Sequence, residues 1–388
     1  MFLPKSSLVQ IDKITEHLPL TEIGKTFLWS YLGFTGISVR GDFSKRSCIY
    51  ESFRFWFPFV IHVSLLSSLV QIVFGYMSGM WSINVIIASA SGNILSVVLW
   101  HVLYHKRKPL REFLVKVQEL NCSLLHSYEK HIEAVLINLS LLCNTAIPIA
   151  FALLCICSSS TESRDTFWTY GYKMEDLSTL TKSCIFVAII AYNSLKIFPG
   201  ILTCIYCVLC IRLSKLLISY NEKLVKIAEG SLHSSPKRLV NQYFEILSTV
   251  ELLQIIFSEP LFVLILRHFL HLFATLAYVM PFLKQQFTTV IIGEITVIVL
   301  TTCLSTIAIM IFASKITDNI QNVKHSFQRY KEKMVLEHEG KDEKIIQLAI
   351  DRDYVQPSAC NTIILRKRFI LSIFGALLTY SIIIFQIM

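Results

Sequence analysis

Apolar residues run through this chain in long blocks, with most of the charged residues gathered between them. Seven blocks are long enough to cross a bilayer, since about 20 apolar residues wound as a helix reach across about 30 Å of hydrocarbon. They are Trp56–Met77, Trp81–Tyr104, Ala134–Cys157, Ser183–Cys210, Leu252–Met280, Thr288–Ser314 and Phe369–Met388. The predicted fold class is therefore all-α: a polytopic membrane protein with seven transmembrane helices. Pro148, Pro199 and Pro260 fall inside the third, fourth and fifth blocks. A membrane helix tolerates proline but bends at it.

The last block, FILSIFGALLTYSIIIFQIM, carries no charge and follows Arg366, Lys367 and Arg368 directly. Ser372, Gly375, Thr379 and Gln386 interrupt it at spacings of three, four and seven, which is one face of a helix. A small, polar stripe of this kind lets helices approach closely or lines water. Gln386 ends the stripe with apolar Ile383 and Ile387 beside it.

The connections fix the orientation. Thirty of the 36 Lys and Arg residues lie before the first block or after the second, fourth and sixth, and four lie in the alternate connections. This asymmetry predicts a cytoplasmic N-terminus and an extracellular C-terminus. The predicted organisation is a cytoplasmic segment over 1–55, a six-span helical domain over 56–314, a cytoplasmic anchor segment over 315–368 and a seventh helix over 369–388. In the anchor segment, Ile316, Ile320, Val323 and Phe327 continue the helical period of the sixth span. A second amphipathic piece with Ile345, Ile346, Leu348, Ala349 and Val355 precedes Pro357. Stripes of this kind need burial, which points to a bundle between subunits or to a linker with some helix.

Composition agrees with the pattern: 54% of residues are hydrophobic, 16% are charged and the mean hydropathy is +0.57. Soluble domains carry about 25% charged residues. The net charge of +9 is a topology signal, and no nucleic-acid partner is needed to explain it. Residues 1–30 lack the clean apolar core of a cleavable leader. No metalloprotease helix, phosphate loop, dinucleotide turn or nucleophile elbow occurs, so the chain is read as no enzyme, with no cofactor and no metal. The Cys204, Cys207, Cys210 run reads as small thiols inside the fourth span, with palmitoylation open to Cys210. Cys155, Cys157 and Cys184 fall near the outer side, where one disulfide is conceivable. The Asn121-Cys122-Ser123 sequon lies on the cytoplasmic side and goes unused.

Ionisable groups inside the spans need partners. Lys196 and Arg267 sit near the middle of the fourth and fifth blocks, and each costs about 2.5–3.5 kcal/mol at a helix centre on insertion scales. His271 shares a face with Arg267, as does Glu259 two turns earlier on the cytoplasmic side, where it reads as a packing group. Two readings stand for the others: an internal network that fixes helix packing, or a pocket open to the outside. The candidate pocket walls are Trp81, Asn84, Phe151, Tyr192, Asn193, Lys196, Arg267, His271, Phe273, Tyr278 and Glu294. Aromatic faces with a few polar groups suit a small organic ligand.

Thr379-Tyr380, then Ser381 to Phe385, then Gln386 at the end of a seventh span resemble the closing signature of insect gustatory receptors. Ile387 stands where that family has phenylalanine. The resemblance covers the chain in topology and the last span in motif. It implies a ligand-gated cation channel of the gustatory and odorant receptor superfamily, opened by a small-molecule tastant. It further implies a homo- or hetero-tetramer in plasma-membrane lipid, held by the cytoplasmic anchor, with four last helices around the pore. Ser372, Gly375, Thr379, Ile383, Gln386 and Ile387 would then line the pore or gate, and Tyr380 would pack against neighbouring helices. An odorant-receptor-like subunit is the nearest alternative. A G-protein-coupled receptor has the opposite orientation, and Asp351-Arg352-Asp353-Tyr354 lies before span seven instead of after span three. A secondary transporter would show inverted repeats, and none is visible.

Overall fold

The computed structural model describes residues 48–77, 79, 82–124, 146, 149–150, 153, 178–230, 234–282, 289–336, 343–373, 375–376 and 379. The third predicted span and the Cys155–Cys157 pair lie largely or wholly outside these residues, as do Ile383, Gln386 and Ile387. The described elements are α1 (Cys48–Met77), α2 (Ile83–His105), α3 (Arg107–Leu124), α4 (Thr179–Ala228), α5 (Pro236–Phe282), α6 (Thr289–Leu336) and α7 (Glu343–Asp351), followed by a small hairpin of β1 (Ser358–Ala359) and β2 (Ile363–Ile364). Residues 367–373 open a further helix.

Among the described residues, five helices are long and apolar enough to cross a membrane: α1, α2, α4, α5 and α6. The burial pattern of α1 agrees. Phe55, Phe59, Val63, Leu66, Val70, Val73 and Met77 form an exposed apolar stripe, whereas Ser64, Ser68 and Gln71 face inward. An outer face greasier than the inner one is what a hydrocarbon solvent selects. The chain is a multi-pass membrane protein.

Three of the helices are far longer than a span needs. α4, α5 and α6 hold 50, 47 and 48 residues, so each runs about 70 Å, of which the bilayer takes about 30 Å. Ser178 starts α4 by accepting the Thr181 backbone N–H at 3.2 Å, the ordinary way to satisfy a free helix-end donor. Gly230 ends it at φ +81°, a conformation that glycine adopts without a Cβ penalty.

The extensions build the densest core of the molecule. Leu213, Leu217, Tyr220 and Leu224 of α4 meet Leu239, Tyr243, Ile246 and Val250 of α5. Ile316, Ile320, Val323 and Phe327 of α6 are all fully buried in the same core. Tyr220 and Tyr243 stack at 6.0 Å between centroids, and Phe327 tilts against Tyr243 at 5.3 Å. The predicted α6 stripe is thus real, and it is buried within one chain. No second subunit is needed to cover it. On α7, Ile346 and Ala349 are buried while Leu348 stays 62% exposed. Arg352 bonds to Glu251 at 3.7 Å and lies 4.5 Å over the Phe244 ring, so the Asp-Arg-Asp-Tyr run belongs to this bundle.

The hairpin closes the base of the bundle. Cys360 and Asn361 turn it with φ of +49° and +54°. Gln254 of α5 holds it like a missing strand, its amide donating to Ser358 O at 2.8 Å and accepting from Ser358 N at 2.9 Å. Cys360 N donates to Ser258 O at 3.1 Å. Lys367, at the start of the next helix, pairs with Asp318 of α6 at 3.1 Å.

Cys207 and Cys210 are buried, as thiols read from their apolar neighbours should be. Cys210, the cysteine open to palmitoylation, is fully enclosed among the helices, which disfavours acylation of the folded chain. No group of three metal-ligating side chains occurs among the described residues.

Candidate functional site

The site grows from residues that break the apolar pattern of the spans. On α1 they are Ser64, Ser68 and Gln71; on α2, Gly92, Asn93 and Ser96; on α5, Arg267, His268, His271 and Thr275; on α6, Thr302 and Thr306. All but Gly92 appear among the buried polar residues, and Gly92 is buried beside them. Helical periods of three and four bring each set to the inner face of its helix. Because hydrocarbon offers no hydrogen bonds, these groups must find one another.

They do. Arg267 Nε donates to Ser96 Oγ at 2.6 Å, and Nη2 reaches Leu195 O of α4 at 3.5 Å. Ser96 also donates to Gly92 O at 3.2 Å. Asn93 Nδ2 donates to Ser68 Oγ at 2.8 Å, which joins α2 to α1. His268 Nδ1 lies 3.2 Å from Thr306 Oγ1, which joins α5 to α6. Thr275 and Thr306 return their hydroxyls to carbonyls four residues back. One guanidinium, two imidazoles and a set of hydroxyls and amides therefore meet in the membrane interior, touching five helices. The Asn93 carbonyl oxygen is buried with no partner among the described residues.

Gly92 of α2 lies directly against the His271 ring of α5. A Cβ at that position would stand 2.9 Å from His271 Nε2. Gly92→Ala should therefore push the imidazole off its seat at about 1–3 kcal/mol, the usual cost of overpacking. Thermal unfolding of the purified protein should show a lower midpoint for Gly92→Ala. Gly375→Ala serves as the control, because nothing lies within 4 Å of a Cβ there. An unchanged midpoint for Gly92→Ala would mean that the contact relaxes freely.

Of the predicted pocket residues, the structure joins Arg267 and His271 to this cluster. Phe273 and Tyr278 sit half-buried higher on α5, and Asn84 is exposed at the start of α2. Tyr192, Asn193 and Lys196 lie on α4 and Glu294 on α6, with side chains outside the described residues, as are Trp81 and Phe151 altogether. Glu259 pairs with Lys106 at 3.2 Å, a packing contact between the end of α2 and α5. On the last helix, Ser372, Gly375 and Thr379 are exposed on one stripe, and Thr379 donates to Gly375 O at 2.9 Å. Tyr380 lies outside the described residues. Sequence reasoning passed over Ser68, Gly92, Asn93, Ser96, His268 and Thr306. Gly92, Asn93 and Ser96 did carry a signal, a small and polar run at helical spacing in an otherwise apolar block.

No family model matches the sequence, and no curated protein matches it. Solved structures do. The structure of the insect olfactory receptor OR5 from Machilis hrabei superposes with a TM-score of 0.69 over 99% of this chain and 99% of its own, at 15% identity. The same receptor in complex with eugenol gives a TM-score of 0.65 over 98% and 99% of the two chains, again at 15% identity. The chain has the fold of an insect olfactory receptor from end to end. Both of these structures are of insect olfactory receptors.

Proposed function

We propose that this chain is a chemosensory receptor of the insect gustatory and odorant receptor superfamily, working as a ligand-gated, non-selective cation channel in the plasma membrane of a sensory neuron. The observation that carries this reading is the full-length likeness to an olfactory receptor fold, one of whose structures holds the small aromatic eugenol. The polar cluster around Arg267 supports a binding floor beneath the outer halves of α2, α4, α5 and α6, with Tyr192, Asn193, Phe273, Tyr278 and Glu294 as walls. The orientation rests on the 30-to-four split of basic residues, with the N-terminus inside and the C-terminus outside. Subunits assemble as a tetramer, for which exposed Val335, Leu348 and Ile364 at the anchor end supply apolar surface.

The gustatory assignment rests on Thr379-Tyr380 and Gln386, and the tastant class follows from it. An odorant-receptor-like subunit fits the fold equally well, so a panel of both soluble tastants and volatiles is the proper screen. In this channel the last helix runs outward and places four Gln386 side chains around the axis. An amide donates and accepts, so a ring of them closes the pore and still hydrates an ion, while Ile387 adds an apolar constriction.

Cells expressing the chain alone or with a co-receptor should show ligand-evoked calcium entry and ohmic single-channel currents. Gln386→Ala should change basal leak or ion selectivity without loss of assembly, and a cysteine in its place should react with an external thiol reagent in an activity-dependent way. Unchanged permeation and no reaction would put Gln386 off the pore. Saturable counterflow without current would replace the channel by a transporter.

A further inference from the structure

Two histidines at the basic end of the α1–α2 pair have no part in the site above. His62 of α1 and His101 of α2 face each other with their Nε2 atoms 3.4 Å apart. The His62 Nδ1 lies 2.6 Å from Pro58 O. A carbonyl only accepts, so Nδ1 holds the proton and donates it, which leaves the Nε2 of neutral His62 as a lone pair. A backbone carbonyl that fixes the tautomer from behind is the usual second layer of a metal-binding histidine. Trp100 crosses His101 at 4.7 Å between ring centroids and is itself held by Phe57, so His101 is also oriented from outside.

From this arrangement we propose that His62 and His101 form a two-histidine clip for a divalent transition-metal ion of the zinc and copper class, tying α1 to α2. Two imidazole nitrogens bound to one tetrahedral ion at zinc–nitrogen lengths lie about 3.3–3.4 Å apart, with ring centroids about 5 Å apart. The pair has 3.4 Å between nitrogens and 5.3 Å between centroids. As a direct N–H···N hydrogen bond, 3.4 Å is long. Loading needs the lone pair of His101 Nε2 as well, so that ring moves its proton to Nδ1 as the ion arrives. Imidazole suits zinc and copper over magnesium or calcium, and copper binds such sites more tightly than zinc.

Both rings lie outside the helix core, about two turns from the start of the α1 span and about one turn from the end of α2, so the ion reaches them from the membrane interface. Nearby cations are engaged elsewhere, Lys106 with Glu259 at 3.2 Å and Arg107 over the Tyr104 ring at 4.0 Å. No third side chain completes a group of three among the described residues. Water fills the remaining positions, and the ion exchanges freely where a closed four-ligand site would hold it. A loaded clip would restrain α1 against α2 across 39 residues of sequence. The proposal stands apart from the receptor reading, since it needs neither a ligand nor a current.

The test uses the full chain in nanodiscs of zwitterionic lipid, with any affinity tag removed, titrated with Cu²⁺ and read by electron paramagnetic resonance, with Zn²⁺ as competitor. The expected signal is one copper with two imidazole nitrogens, displaced by zinc. His62→Ala and His101→Ala should each weaken binding by about tenfold or more, the scale on which metal sites respond to lost support. His101→Gln provides a second variant that retains a polar side chain. His105→Ala removes a histidine one turn away from the pair and should leave binding within about twofold, since a single exposed imidazole outside the ligand set contributes little. Wild-type binding no tighter than that of the double His62→Ala, His101→Ala protein overturns the clip. Equal loss on His105→Ala overturns it too, because the ion would then sit on α2 alone.

Discussion

Arg267→Met is expected to leave folded protein at the cell surface and to weaken the response to an activating compound by about tenfold to a hundredfold. The two halves of that result come from different physics. Ser96 Oγ keeps its bond to Gly92 O when the guanidinium leaves, so the substitution orphans little. Replacing a buried charge by an apolar side chain of similar volume is often neutral or stabilising. On the proposed reading Arg267 would give the ligand a charge-assisted hydrogen bond, and losing one costs about 1.5–3 kcal/mol, which is one to two decades in affinity. Arg267→Lys should recover part of the response, since it keeps the charge and loses the directed fork. Arg267→Ala is a different experiment, because the cavity alone costs about 2–5 kcal/mol in a large-to-small change. Surface expression and concentration–response curves, measured together, decide the matter. A methionine variant that fails to reach the surface would make Arg267 a strut between α2, α4 and α5, and the pocket would have to lie elsewhere.

The second large effect is expected at Gln254. Its side-chain amide satisfies both backbone groups of Ser358 and also reaches the Ser358 hydroxyl at 2.7 Å, all of it buried. Gln254→Ala leaves one N–H and one C=O without partners in an enclosed place, at about 1–3 kcal/mol each. Converted at the usual scale, the unfolding midpoint should fall by about 5–10 °C. Gln254→Glu should do no better, because a carboxylate accepts from Ser358 N and repels Ser358 O. Thermal unfolding by intrinsic fluorescence measures both. A midpoint within about 1 °C of wild type would mean that the hairpin holds its place without α5.

Much of this fold was written in hydrophobic runs that a single sequence displays. The α6 stripe of Ile316, Ile320, Val323 and Phe327 is periodic, local and strong, and it is buried as its spacing requires. The extensions of α4 and α5 were harder to see. Residues such as Arg212, Lys215, Lys223 and Lys226 read as a basic connection, when they are the outer face of a helix whose inner face is Leu213, Leu217, Tyr220 and Leu224. Charge set the topology there and hid the period. The clamp between Gln254 and Ser358 spans 104 residues and leaves no local mark on either side. Within the candidate site, Arg267 and His271 announced themselves as costly in hydrocarbon. Their actual neighbours, Ser96 and Gly92, look like ordinary small residues of a membrane helix.

The bond between Arg267 and Ser96 joins residues made 171 positions apart in synthesis. By the time α5 leaves the ribosome, α2 has already been handed to the bilayer, and its hydroxyl is in place to receive a guanidinium that lipid would refuse at about 2.5–3.5 kcal/mol. On this order of synthesis the earlier helix would act as an acceptor for the later one during membrane insertion. A lesion on α2 would therefore appear first as poor membrane insertion of α5, before any question of what the finished protein binds.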